Sequence, residues 1–166
     1  MPSAPPTEDS RVPIDPVDRD RYFLDLAIEQ AEIGWSEGGV PIGAVLVHGD
    51  TVLAAGRNRR VQLGSPIRHG ETDCIDLAGR QPAEVYRAST LYTTLSPCYM
   101  CAGTSLLYNI PRIVIGENTS FEASEAWLTS HGVELTVMDD PTCRGLMDRM
   151  LAERPEIWFE DIGEPA

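Results

Sequence analysis

Residues 90–101 read TLYTTLSPCYMC, and this stretch decides the fold. Its first half, 90–95, is rich in β-branched and aromatic residues, which is typical of a strand. Ser96 is a residue type favoured as a helix N-cap, and Pro97 suits the first position of a helix. The stretch therefore predicts a strand that runs directly into a helix, with the two cysteines on one face of the first helical turn.

A second motif, His69-Gly70-Glu71, precedes this stretch in the chain. Imidazole and thiolate groups suit zinc, and a catalytic zinc site usually has three protein ligands and one open position. His69, Cys98 and Cys101 are therefore the predicted ligands of one zinc ion per subunit. The order H-x-E followed by P-C-x-x-C is the signature of zinc deaminases that act on nucleobases.

Glu71 lies too close to His69 in the chain to be an independent fourth ligand. Replacing an amine by oxygen on an aromatic ring needs a strong nucleophile and a proton shuttle. Zinc lowers the pKa of coordinated water from about 16 toward about 7. A neighbouring carboxylate can take a proton from that water and deliver protons to the ring nitrogen and to the departing ammonia. The two motifs thus predict hydrolytic deamination with Glu71 as the catalytic residue.

The alternative is a structural zinc site in a non-catalytic, zinc-stabilised module. Such sites have four protein ligands, and Cys74, one helical turn beyond Glu71, is the conceivable fourth. Glu71 speaks against this alternative, because a structural site has no use for a carboxylate at that place. Cys74 and Cys143 lie in apolar helical patterns, and we interpret both as buried core residues.

Composition narrows the class of protein. The chain has 166 residues, of which 42% are hydrophobic, and this suits one domain with a sizeable core. No apolar run approaches the roughly 20 residues that span a bilayer, and the amino terminus lacks the features of a signal peptide. We therefore expect a cytoplasmic protein with reduced cysteines and no membrane contact. The net charge of −13 disfavours a nucleic-acid partner, because it repels phosphate.

Every basic residue is an arginine, and four of them cluster in the sequence: Arg57, Arg59, Arg60 and Arg68. The simplest interpretation of this arginine cluster is a solvated loop. The alternative is a site for the single phosphate of a nucleotide substrate.

The remaining periodicity predicts an α/β fold. Leu24, Ile28, Ala31 and Trp35 recur on one face of a first helix. Strands are predicted at 42–47, 52–55, 90–95, 112–115 and 133–137, and further helices at 69–78, from 96 to before 111, at 121–130 and from 140 onward. A hairpin followed by alternating strands and helices implies a three-layer α/β/α sandwich around a mixed five-stranded sheet.

Two segments at the ends of the chain differ from this core. Residues 1–17 contain five prolines and no apolar periodicity, so we predict a flexible proline-rich leader. Residues 18–166 form the predicted deaminase domain. Its tail, from about residue 155, places Trp158 and Phe159 among acidic residues.

Further segments extend the pattern beyond the zinc motifs. They are EGGVPIG at 37–43, LYTTLSPC at 91–98, PR at 111–112, GEN at 116–118, ERP at 153–155 and WFEDIGE at 158–164. With them, the chain resembles the small zinc-dependent cytosine deaminases of fungi, in the cytidine deaminase-like superfamily, from about residue 22 to 164. The ending is the most discriminating part, because most other superfamily members share only the zinc motif.

The resemblance implies roles for residues outside the zinc motifs. Asn58 would hydrogen-bond the carbonyl edge of a free base, assisted by the backbone amide of Gly70, and Asp161 would receive the exocyclic amine. The residues that line or close the pocket would be Phe121, Trp158, Ile42, Leu95 and Ser96. The resemblance also implies a homodimer, and a carboxyl-terminal segment at about 155–166 that acts as a lid on its own site.

Plainer interpretations of three of these residues stay open. Trp158 could serve only to pack the carboxyl-terminal tail against the core. Asn58 could serve only to stabilise the turn in which it lies, and Phe121 could be a packing residue without contact to substrate. The conclusion that we draw is an enzyme of pyrimidine salvage, a hydrolase acting on the C–N bonds of cyclic amidines, that converts cytosine to uracil and ammonia and also accepts 5-fluorocytosine. The alternatives are deamination of another small base or ring (isocytosine, guanine or a creatinine-like ring), deamination of adenosine in transfer RNA, and the non-catalytic module.

Overall fold

The structure, a computed structural model, describes residues 11–166, so most of the predicted leader lies outside the described residues. The first helix, α1, spans Pro16–Ser36. It begins earlier than the predicted leader boundary at residue 17, because the Asp15 carboxylate accepts hydrogen bonds from the amides of Val17 and Asp18 and so caps the helix. The helix thus includes the last two residues of the predicted leader, and the leader itself stays a prediction.

Five strands form one sheet. They are β1 (Gly43–His48), β2 (Thr51–Arg57), β3 (Ser89–Leu95), β4 (Arg112–Glu117) and β5 (Glu134–Val137). The order across the sheet is β2-β1-β3-β4-β5, with β1 antiparallel to both neighbours and β3, β4 and β5 parallel. This topology confirms the predicted mixed five-stranded sheet.

Seven more helices follow α1 in the described part of the chain. They are α2 (Arg60–Leu63), α3 (Gly70–Ala78), α4 (Ala83–Arg87), α5 (Tyr99–Leu107), α6 (Glu125–Ser130), α7 (Pro141–Glu153) and α8 (Pro155–Asp161). The short helices α2, α4 and α8 were not predicted. None of the helices within residues 11–166 is both long and apolar enough to cross a membrane.

Alternating strand residues build one apolar core on each face of the sheet. On one face, Val45, Tyr92 and Val114 pack with Phe23 of α1 and Cys143 of α7. On the other face, the buried residues come from β1, β3 and β4 and from helices α3, α5 and α6. Helices therefore cover both faces, which confirms the three-layer α/β/α sandwich.

Glycine lets α1 lie directly on the start of β1. A Cβ atom on Gly43 would stand 2.0 Å from the carbonyl oxygen of Ala27 and 2.7 Å from the amide nitrogen of Ala31. Both are backbone atoms of α1, which cannot move away without disturbing the helix, so a side chain at this position would clash. The contact fixes the beginning of β1 beside the carboxyl end of β3, because these two strands are antiparallel. The functional residues collect at this edge of the sheet.

Two predicted helix starts were wrong. Helix α5 begins at Tyr99 with Cys98 at its N-cap, and the Ser96 hydroxyl donates to the Glu125 carboxylate at 2.7 Å instead of capping the helix. Helix α6 begins at Glu125 rather than at 121. The Glu117 carboxylate accepts the amides of Thr119 and Ser120 and holds the preceding residues in a turn.

Candidate active site

The amino-terminal ends of α3 and α5 meet at this edge and bring the two motifs together. His69 is the N-cap residue of α3, and Cys98 is the N-cap residue of α5. The Nδ1 atom of His69 lies 3.4 Å from the Cys98 sulfur and 3.7 Å from the Cys101 sulfur. The three predicted ligands therefore share one small volume, although they come from different helices.

This donor set fits zinc. The ligand atoms of His69, Cys98 and Cys101 all lie within 4.8 Å of one another. Tetrahedral zinc with bonds of about 2.3 Å to sulfur and about 2.0–2.1 Å to nitrogen places those two atoms about 3.6 Å apart. The observed nitrogen–sulfur distances lie on either side of that value. Two cysteine sulfurs and one imidazole nitrogen could therefore hold one zinc ion here.

Hydrogen bonding selects which nitrogen of His69 faces the sulfurs. The other ring nitrogen, Nε2, lies 3.2 Å from the backbone carbonyl oxygen of Asp161 and 3.3 Å from its Oδ2 atom. A carbonyl oxygen can only accept, so Nε2 carries the hydrogen and the Nδ1 lone pair is directed at the cysteines. Outer partners of this kind orient histidine ligands in metal sites generally.

The two cysteines differ in how readily they lose a proton: the pKa of Cys98 is lowered, whereas the hydrogen bond to Cys98, together with burial, raises the pKa of the Cys101 thiol. The Cys101 thiol and His69 lower the pKa of Cys98 to about 4. Burial lowers the pKa of His69, but its hydrogen bond to Cys98 and the charge of Asp161 raise it more, to about 9. The lowered pKa of Cys98 favours the thiolate form, which is the form in which cysteine would hold zinc.

Glu71 is buried beside the ligands. One carboxylate oxygen lies 3.3 Å from the Cys101 sulfur, and the other lies 3.1 Å from the hydroxyl of Thr93 on β3. Burial, together with the negative charge of Cys98, raises the pKa of Glu71. Sequence reasoning missed Thr93. Its hydroxyl gave no distinct signal, because Thr90 and Thr94 lie in the same predicted strand.

A small cavity adjoins the zinc ligands and Glu71. It is lined by most of the predicted substrate residues, namely Ile42, Leu95, Ser96, Phe121, Trp158 and Asp161, and by Ile162, which was not predicted. The rings of Phe121 and Trp158 meet edge to face at 5.7 Å and close it. Its volume is about 10 Å³, about the space that one water molecule needs. A pyrimidine ring therefore enters only if part of this wall moves.

Asn58 and Gly70 stand behind the wall of that cavity. The amide of Asn58 donates to Asp161 Oδ1 at 2.7 Å, and its carbonyl accepts the Arg60 amide at 3.1 Å. Gly70 packs against Ile42, where a Cβ atom would lie 3.0 Å from the Ile42 carbonyl oxygen. Both residues adjoin the site, and their contact with substrate stays a prediction.

The arginine cluster is neither a solvated loop nor a phosphate site, so both interpretations were wrong. Each arginine has a carboxylate partner: Arg57 pairs with Glu37, Arg59 with Asp73, Arg60 with Glu160, and Arg68 with Asp73 and Asp76. These side chains are between 10% and 29% exposed. Their charges are balanced by these carboxylates. The ion pairs connect the segment between β2 and α3 to α1 through Glu37 and to α8 through Glu160.

Cys74 does not complete a four-ligand cage. Its thiol donates to the Ala54 carbonyl oxygen at 3.4 Å, and burial raises its pKa far above the usual range. Cys74 and Cys143 are both buried core residues, as predicted. The zinc cluster within residues 11–166 contains three protein ligands, which is the number found in catalytic sites.

Both zinc motifs lie in a region that matches a known protein family. The family described as the cytidine and deoxycytidylate deaminase zinc-binding region matches residues 17–117. That span contains His69, Glu71, Cys98 and Cys101. The residues that close the cavity, beginning with Phe121, come after it.

Individual relatives differ in substrate. Cytosine deaminase of Candida albicans is 46% identical over 146 residues, which make up 87% of this chain and 97% of that enzyme. A tRNA-specific adenosine deaminase of Buchnera aphidicola is 39% identical over 101 residues, 60% of this chain and 62% of that protein. The structure of a guanine deaminase from Nitrosomonas europaea superposes with a TM-score of 0.62 at 23% identity, over 87% of this chain and 89% of that one. The last comparison confirms the fold.

Proposed function

This chain belongs to the cytidine and deoxycytidylate deaminase family, and on that premise we propose that it is a zinc-dependent cytosine deaminase. It hydrolyses cytosine to uracil and ammonia, and it accepts 5-fluorocytosine. The observation that carries the proposal is similarity to the Candida albicans cytosine deaminase over 87% of the chain. Coverage of that extent reaches beyond the zinc motifs.

In the proposed reaction, three side chains bind the metal and a fourth transfers protons. His69, Cys98 and Cys101 hold the zinc. When bound, zinc supplies the Lewis acidity that makes water a nucleophile near neutral pH. Glu71 takes a proton from the attacking water and gives it to the ring nitrogen beside the reacting carbon. It then takes the second proton from the hydroxyl newly bonded to that carbon and delivers it to the amino group, which leaves as ammonia. The Thr93 hydroxyl holds one oxygen of Glu71, so that the other faces the ligands.

The substrate is held by the residues around the cavity. In this proposal Asp161 accepts the exocyclic amine, Asn58 bonds the carbonyl edge, and Phe121 and Trp158 cover the ring. Burial raises the pKa of Asp161, whereas His69, Asn58 and Arg60 oppose that rise and favour the carboxylate. The wall that must move to admit a pyrimidine ring would have to move further to admit an attached ribose. A free base is therefore preferred to a nucleoside.

A substrate panel tests the proposal. Cytosine, 5-fluorocytosine, isocytosine, guanine, creatinine, cytidine and cytidine monophosphate are assayed side by side with the zinc-loaded enzyme, by absorbance change and ammonia release. We expect cytosine and 5-fluorocytosine to have the highest kcat/KM and the nucleoside and nucleotide to be at least about 100-fold poorer, because a wall residue must be displaced to admit the sugar. A higher kcat/KM for any other ring would assign the enzyme to that ring.

Adenosine in transfer RNA is the second candidate, because the Buchnera aphidicola relative is named for that substrate. Three features of this chain oppose it: the net charge of −13, the arginine cluster paired to carboxylates, and the enclosed cavity. A transfer-RNA anticodon stem-loop belongs in the same panel. Inosine formation faster than uracil formation from cytosine would favour this candidate.

A homodimer in the cytoplasm completes the proposal. Helices α3, α4 and α5 border a groove of about 530 Å³ that is lined in part by Ile67, Ile75, Tyr86 and Tyr108. Leu107, beside it, is 71% exposed. Ile67 and Tyr108 are 60% and 40% exposed, and neighbouring exposed apolar side chains mark association sites. Light scattering should give twice the 18.2 kDa subunit mass, and Leu107→Arg should lower it; a monomeric wild-type protein would refute the dimer.

A further inference from the structure

One ion pair joins the loop that carries Asn58 to the helix that carries Asp161. The two terminal nitrogens of Arg60 on α2 contact the two carboxylate oxygens of Glu160 on α8, at 2.7 and 2.8 Å. The remaining guanidinium nitrogen, Nε, donates to the Pro66 carbonyl oxygen at 3.0 Å. The Arg60 side chain is only 10% exposed, although Glu160 is 65% exposed. The bidentate geometry fixes the guanidinium plane.

Arg60 also contacts both predicted polar substrate residues. Its Nη1 atom lies 3.5 Å from Asp161 Oδ1, and its backbone amide donates to the Asn58 side-chain carbonyl at 3.1 Å. Asp161 Oδ1 is the same atom that accepts the Asn58 amide. The other oxygen of Asp161 faces His69. Arg60 therefore sets the position of a carboxylate that bridges a zinc ligand and the substrate cavity.

The two ends of α8 are held separately. At its start, the guanidinium of Arg154 lies 3.7 Å from the centre of the Trp35 ring and donates to the Gly39 carbonyl oxygen at 3.2 Å. At its end, the Arg60–Glu160 pair connects α8 to α2. Both attachments are close to residues that line the cavity. Trp158 lies between them in the chain, and Asp161 directly follows Glu160. Without the second attachment, the end of α8 that carries Asp161 would be held by fewer contacts, chiefly those of Asp161 with Asn58 and His69, and its position would be less restricted.

We propose that Arg60 is a positioning residue, which through its ion pair with Glu160 holds α8 across the cavity and aims the Asp161 carboxylate at the substrate amine. It does not touch the substrate, and the inference rests on the proposed function. An ion pair with one largely exposed partner contributes little to stability. Its effect on turnover is larger, because a displacement of about 1 Å at a reacting geometry costs about 100-fold in rate.

Three variants test this role. Glu160→Gln removes the charge of an exposed partner and leaves the fold undisturbed. Arg60→Gln removes the guanidinium, and Arg60→Lys keeps the charge but loses the bidentate geometry. The matched control is Glu134→Gln, because Glu134 is likewise exposed (69%) and pairs with a partly buried arginine, Arg112, at the opposite end of the sheet. We expect kcat/KM for cytosine to fall about 10-fold in Glu160→Gln and about 10- to 100-fold in Arg60→Gln, and to be unchanged in the control.

A double-mutant cycle separates positioning from a general structural role. If Arg60 acts through Asp161, adding Arg60→Gln to Asp161→Ala should lower kcat/KM by less than about 2-fold, although each change alone lowers it strongly. Full additivity in the cycle, or wild-type kcat/KM in Glu160→Gln while wild-type enzyme deaminates cytosine, would overturn this inference alone. A zinc-loaded wild-type enzyme that is inactive on cytosine would overturn the proposed function and the premise of the inference.

Discussion

Glu71→Gln should abolish turnover without weakening the fold. Glutamine has nearly the shape of glutamate, so its side-chain oxygen can still lie 3.1 Å from the Thr93 hydroxyl. Its amide then takes the place of the oxygen that lies 3.3 Å from the Cys101 sulfur and can donate to a thiolate there. The zinc ligands are untouched. What is lost is a group that can accept and release a proton.

The magnitude follows from the number of proton transfers. A single general acid–base group contributes about 10²–10⁴ in rate. Glu71 is buried at 3% exposure, and within residues 11–166 it is the carboxylate next to both the cysteine ligands and the cavity, so it serves several transfers in turn. We expect kcat to fall by at least about 10³, which corresponds to a barrier increase of about 4 kcal/mol. The free energy of unfolding should stay equal or rise, because burial raises the pKa of Glu71 and thus disfavours its charged form in the fold.

The assay combines three measurements on the same preparation: uracil formation by absorbance, zinc content by elemental analysis, and unfolding by denaturant. Asp20→Asn is the reciprocal control. Asp20 pairs with Arg112 at 2.7 and 2.8 Å at the far end of the sheet, so this variant should lose stability but retain turnover well below its unfolding temperature. Turnover of Glu71→Gln within 10-fold of wild type, at full zinc content, would refute the proton-shuttle role.

Three further predictions concern the metal and the core. Removal of zinc by a chelator should abolish turnover and lower Tm, and added zinc should restore both; activity that survives at zero measured zinc would contradict this. Met147→Ala should cost about 2–5 kcal/mol in denaturant unfolding, because this side chain is 1% exposed, and a loss below about 1 kcal/mol would contradict the packing. Burial raises the pKa of Asp140, but Arg21 and the Cys143 amide lower it more. Its stabilisation is thus present above the ordinary pKa of about 3.8 and is lost as pH falls through the lower folded pKa. The difference in unfolding free energy between wild type and Asp140→Asn should therefore shrink below about pH 4, and a difference that widens there would contradict the assignment.

The sheet and the zinc ligands were predictable because each rests on a local pattern. β-Branched and aromatic residues predicted 90–95 as a strand, and β3 is Ser89–Leu95. The spacing of His69, Cys98 and Cys101 predicted a shared metal, since a strand that runs directly into a helix places its next residues at the sheet edge. Local chemistry of this kind does not depend on knowing the rest of the fold.

The errors arose where a distant partner decides the structure. Ser96 has the side chain of a good N-cap, but its hydroxyl bonds Glu125, far along the chain, and the helix begins later. The charges of Arg60 looked like a phosphate site because Glu160 is 100 residues away. Helices of four to seven residues, such as α2 and α8, have too few turns for a period to be visible. Each of these features depends on tertiary contacts that a single sequence does not display.

The division between chemistry and substrate choice follows the chain itself. His69, Glu71, Cys98 and Cys101 lie in the span that matches the family, 17–117, and two relatives of this chain are named for different substrates, cytosine and adenosine in transfer RNA. The cytosine deaminase aligns with 146 residues of this chain, whereas the tRNA-specific adenosine deaminase aligns with 101. The walls that close the cavity, from Phe121 through α8, come after residue 117. We therefore expect residues after 117 to contribute to substrate choice together with Ile42, Leu95 and Ser96, which line the same cavity, and the Arg60–Glu160 pair is one of the contacts that join these two parts of the chain.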